Sequence, residues 1–209
     1  MMQVATTRNA LVNLETSLPS SESEGLQLTA NSAPRRSMET LALGMPWDPE
    51  RPRVLVAACS DGRLQEATDA FLARAFDIRQ YDRLYVPGGG GGLASSGAEF
   101  LRARELRREC QFLVEAHGVE HLILLFHGPA LGGPEEAVCA DYRRKHPWFR
   151  PDQVRAQQEA DVRDLLGRRD EFAGSASLSA YRIEVTASGE LAVATLHTDT
   201  PSRQRPAHR

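Results

Sequence analysis

Lysine is nearly absent from this chain of 209 residues, with Lys145 the only one among 25 basic side chains. We read the arginine bias as a matter of coding. The bases stand against 28 acidic residues, giving a net charge of −3, and the two signs are mixed along the chain. That excludes the broad basic footprint a nucleic acid or an anionic membrane would select. Cysteine is scarce too. Cys59, Cys110 and Cys139 are an odd number without close spacing, which argues against a disulfide framework and fits a reducing compartment. No window approaches the roughly 18 apolar residues of a membrane span. The opening MMQVATTRNALVNLE lacks the unbroken apolar core of a signal peptide. A soluble, cytoplasmic protein is expected.

Apolar residues also show little period in the first 50 positions, where SLPSSESEGLQLTANSAPRR is rich in Ser, Asn and Pro. Residues 1–50 are therefore expected to form a disordered or extended N-terminal arm, and 199–209 a C-terminal tail. Between them, over 51–198, strands and helices alternate. RVLVAAC, RLYV and HLILLF read as buried strands, and helices are expected over 63–76, 96–117, 134–145 and 152–168. AYRIEVTASGELAVATL reads as a hairpin turning at Ser188–Gly189. This order predicts an α/β fold, a mostly parallel sheet flanked by helices and closed by a C-terminal hairpin.

Two of the apolar strands run into residues that bind metals, Cys59 after VLVAA and His127 after LILLF. Open α/β sheets hold their ligands beyond the carboxyl ends of the strands, where strand order reverses. If these two strands are neighbours, sulfur and imidazole meet there, and both are donors that zinc favours. Each residue alone also suits a plain packing role. Asp61 and Arg63 follow in CSDGR, either as a helix cap and a solvated residue or as a carboxylate held by a guanidinium beside a metal.

VLVAACSDGR resembles the first signature of the β-class carbonic anhydrases, Cys-x-Asp-x-Arg after a core strand. LILLFHGPALGG is similar to their second, His-x-x-Cys after another strand. The resemblance covers roughly 150 residues and implies that family's sheet domain and a homodimer. It also implies Cys59 and His127 as zinc ligands and Asp61 with Arg63 as the catalytic dyad. The activity implied is reversible hydration of CO2 to bicarbonate by a zinc-bound hydroxide.

The chain departs from this pattern at Ala130, where the family carries its second cysteine. Asp61 is one substitute ligand. Glu135 and Glu136 are weighed as others but read as residues of a helix N-terminus, and Cys139 reads as a core residue further into that helix. Five glycines, Gly88 to Gly92, replace the family's Arg-Asn-Ala-Gly-like turn. Residues 89–94 match a dinucleotide fingerprint only as any glycine run does, and the next strand lacks the acidic residue such a site uses. Backbone N–H groups at Gly89, Gly90, Gly91 and Gly92 are an alternative anion-binding nest. Two readings result: a zinc hydratase with an altered site, or a non-catalytic protein of the same fold that binds a small anion or serves an assembly role.

Overall fold

Strands buried on both faces need apolar side chains at consecutive positions rather than alternate ones, and β1 (Val54–Cys59) and β3 (His121–Pro129) are built that way. The computed structural model describes residues 42–96 and 99–199, so the proposed arm and tail lie almost wholly outside the described residues. The described residues from Trp47 onward form one body. Its sheet has the order β2-β1-β3-β4-β5, with β2 spanning Asp82–Val86, β4 Ser177–Val185 and β5 Leu191–Thr198. The first four strands are parallel, and β5 returns antiparallel to β4 as the expected hairpin.

Four α-helices accompany the sheet: α1 (Gln65–Phe76), α2 (Phe100–His117), α3 (Ala140–Lys145) and α4 (Pro151–Gly167). Leu55, Ala57, Leu122, Leu124 and Phe126 pack with residues of α2, α3 and α4, including Cys110, Tyr142 and Leu165. The alternate residues Val56, Ala58, Ile123 and Leu125 meet Leu72 of α1 on the other face. After β1 the chain therefore crosses to β2 over one face, and after β2 it crosses to β3 over the other. Neighbouring β1 and β3, in register at Leu55–Leu122 and Ala57–Leu124, flank the switch point of the sheet.

Three local differences from the sequence expectations matter at that point. His127 does not follow its strand but lies within β3, paired with Ile183 of β4. The long helix α2 starts at Phe100 rather than 96. The helix expected over 134–145 is interrupted: a 3₁₀ turn at Glu135–Ala137 is followed by extended Val138 and Cys139, with ψ of 129° and 128°, before α3 begins. Ala137, Val138 and Cys139 are all buried. Three consecutive inward side chains exceed the single stripe that a continuous helix turns to a core, and the backbone opens to place them.

Candidate metal centre

The carboxyl ends of β1 and β3 bring Cys59 and His127 together, and the break before α3 adds Cys139. One ligand atom from each of these residues lies within 4.8 Å of the others. Cys59 is half-buried, while His127 and Cys139 are 5% and 1% exposed. Gln158 of α4 donates a hydrogen bond of 2.9 Å to the His127 carbonyl, which steadies that strand end. The His127 Nε2 is buried with no hydrogen-bond partner among the described residues. A buried polar atom left unpaired costs about 1–3 kcal/mol, so its position favours a ligand.

The two thiols share their protons unequally. Cys59 is held far below the usual thiol range by its hydrogen bond to Cys139, against burial, and by adjacent His127. Cys139 is pushed up by the same hydrogen bond and by its burial. The shared hydrogen bond thus favours the thiolate at the sulfur nearer solvent. Two sulfurs and one imidazole nitrogen form a donor set that suits zinc, and three protein ligands leave a fourth position open. The residues present fit the ion.

Asp61 and Arg63 meet two residues beyond Cys59. The Arg63 Nε donates to Asp61 Oδ1 and Oδ2 at 2.9 and 3.2 Å, its Nη2 donates to Oδ2 at 2.6 Å, and its backbone N–H donates to Oδ1 at 3.1 Å. These contacts hold the Asp61 carboxyl down at about 2. Asp61 is not among the grouped donors, and its oxygens face a guanidinium. A cavity of about 210 Å³ adjoins the centre, with His127 belonging to both. Asp61, Arg63 and Glu136 line its polar part, and Leu64, Pro134, Ala137, Val185 and Leu191 make the rest apolar.

Ala130, where the resemblance looks for a thiolate, receives a different assignment. Its backbone N–H donates to the Val185 carbonyl at 2.8 Å, and it borders a separate depression beside Arg150 and Arg155. The reading of Cys139 as a core residue alone needs correction: it is buried, and it also faces the other two donors. The only sequence signal for it was order, a third cysteine following His127 as the family's second thiolate does. Of the two acids weighed as substitutes, Glu135 pairs with Arg143 at 3.2 Å, while Glu136 lines the cavity.

The glycine run packs tightly beneath the same strand ends. Gly89 to Gly92 are all buried. Gly89 has φ of +56°, and a Cβ there would collide with the Leu125 carbonyl oxygen and sit 2.7 Å from the Cys59 backbone nitrogen. A Cβ at Gly90 would come within 2.8 Å of the Phe126 ring. Two N–H groups of the turn are already used, Gly91 to the Gly88 carbonyl and Leu93 to that of Gly90. Ser96 donates to buried Asp161 at 3.1 Å, and Ser95 accepts from Arg107 at 3.0 Å.

No family model matches the sequence, and no curated relative is found. Among solved structures, the chain is similar to a β-carbonic anhydrase of Trichomonas vaginalis at 15% identity, covering 76% of this chain and 88% of that one with a TM-score of 0.40. A β-carbonic anhydrase of Aspergillus fumigatus matches at 16% identity over 72% of this chain and 78% of that chain, TM-score 0.39. The apo form of a carbon disulfide hydrolase matches at 11% over 69% and 79%, TM-score 0.36. Likenesses this distant are no guide to the reaction.

Proposed function

We propose that Cys59, His127 and Cys139 hold a zinc ion and that the protein is a carbonic anhydrase, hydrating CO2 reversibly to bicarbonate. The observation that carries this reading is the convergence of two sulfurs and one buried imidazole, its Nε2 without a hydrogen-bond partner, at the switch point of the sheet, beside the Asp61–Arg63 pair. The motif resemblance supports the choice of reaction. The alternative of a non-catalytic protein rested on a missing third ligand, and Cys139 is a candidate for that place, which supports the zinc reading.

Zinc supplies the Lewis acidity that brings the pKa of a water down to about 7. The chain's own residues do the rest. Both sulfurs would bind the ion as thiolates, so its uptake would release protons from Cys59 and Cys139. Arg63 keeps Asp61 ionised and fixed in orientation beside the centre. The apolar wall of the cavity accommodates CO2, which needs no hydrogen bonds from its surroundings. Asp61, Arg63 and Glu136 are the few polar groups by which the cavity would orient a substrate.

The test is metal content per subunit by elemental mass spectrometry, on protein purified without chelator or a polyhistidine tag, with CO2 hydration followed by stopped flow. Near-stoichiometric zinc with hydratase activity is expected. Cys139→Ala should lower zinc affinity by at least about 10–100-fold, the loss typical of residues that merely support a ligand. Wild-type protein that stays metal-free after zinc is supplied would sink the proposal.

A further inference from the structure

The cavity beside the centre contains three charged groups, and two of them cancel. Asp61 and Arg63 are joined by a 2.6 Å contact, so their fields largely offset one another. Glu136 is different. It lies on the 3₁₀ turn Glu135–Ala137, whose hydrogen bonds run from the Ala137 N–H to the Pro134 carbonyl and from the Val138 N–H to that of Glu135. Successive residues of such a turn point in divergent directions. Glu135 accordingly reaches Arg143, Ala137 enters the core, and Glu136 lines the cavity. Among the described residues Glu136 forms no ion pair. Glu136 is an exposed residue at this cavity, and it brings the one charge there that no ion pair offsets among the described residues.

We propose that Glu136 is the specificity-determining residue of this cavity, its unpaired carboxylate weakening the binding of anions at the metal centre relative to small uncharged molecules such as CO2. The inference rests on the zinc reading above and deepens it. With a divalent ion on two thiolates and an imidazole, and water in the open position, the centre itself would contribute no net charge. The cavity's sign is then set by Glu136. An anion approaching the open coordination position meets repulsion from this side chain, whereas a neutral molecule of the size of CO2 meets mostly Leu64, Pro134, Ala137 and Val185. Product leaving as an anion is helped outward by the same field.

The test uses full-length protein loaded with Co2+, whose visible spectrum reports the coordination sphere without any assay of turnover. Thiocyanate and azide are titrated into wild type, Glu136→Gln and Glu135→Gln at low ionic strength. Glu136→Gln should tighten anion binding by about fivefold, as expected for one charge acting across several ångströms of partly screened medium. The gain should shrink as salt is raised. Glu135→Gln makes the same change of net charge at a side chain that reaches Arg143 and does not line the cavity, and should move the anion constants much less. Imidazole, titrated in buffer alkaline enough to keep it neutral, should bind all three proteins alike. Equal anion affinity in wild type and Glu136→Gln would overturn the role of Glu136 while leaving the metal centre standing. Absence of any Co2+ spectrum in the wild type would overturn both.

Discussion

Asp61 shows how one short contact sets both a local structure and a proton equilibrium. Its carboxylate caps the turn at Gly62–Leu64 through the Arg63 N–H and is gripped by the Arg63 side chain. Because the folded-state pKa lies at about 2 against an ordinary 3.8, the pair's stabilisation is fully present above pH 3.8 and disappears as the pH falls towards 2. Arg63 is largely exposed, so the contribution should not exceed about 1 kcal/mol. Stability measured against pH for wild type and Arg63→Met should therefore differ modestly above pH 3.8 and converge near pH 2. A gap that widens in acid would contradict the assignment.

Among the elements, the glycine turn and the interrupted helix do the work of bringing the site together. The turn at Gly89–Gly92 lets its backbone approach β1 and β3 within side-chain distance, next to the Cys59 nitrogen. Gly89→Ala introduces both a strained positive φ and a collision with backbone atoms that cannot rotate away. It should cost about 3–5 kcal/mol in denaturant unfolding. Gly132→Ala is the matched control, with φ of +74° and nothing within 4 Å of the new Cβ; strain alone should cost about 1 kcal/mol. Similar losses at the two positions would mean that Gly89 is not packed as described. The break at Val138–Cys139 is the counterpart on the other side of the centre, since a continuous helix there would not turn three successive side chains inward.

For the whole molecule, the centre ties together segments far apart in the chain. Cys59 ends β1, His127 belongs to β3, and Cys139 precedes α3. An ion bound by all three stabilises only the folded arrangement. At a free zinc concentration 100 times its dissociation constant the gain is about 2.7 kcal/mol. For a domain of this size that raises the melting temperature by about 5–10 °C. Differential scanning calorimetry with zinc and with excess chelator should show this difference in wild type, and Cys139→Ala should lose most of it. An unchanged melting temperature in wild type would argue against a site shared among these segments.

The sequence by itself determined the sheet and half of the centre. Continuous apolar runs such as VLVAA and LILLF specify strands buried on both faces, and their alternation with helical segments specifies a largely parallel sheet. The CSDGR segment placed Asp61 and Arg63 close together because residues two apart in a tight turn have no other choice. What only the tertiary structure decided was the third donor. Cys139 lies on a stretch whose composition suits a helix, and local propensity gives no sign that the helix opens. The opening follows from burial of three neighbouring side chains against strands and helices from elsewhere in the chain. In the same way Glu135 and Glu136, equivalent in the sequence, part company because one finds Arg143 and the other lines the cavity. Local pattern sees neighbours along the chain, whereas a binding site is assembled from neighbours in space.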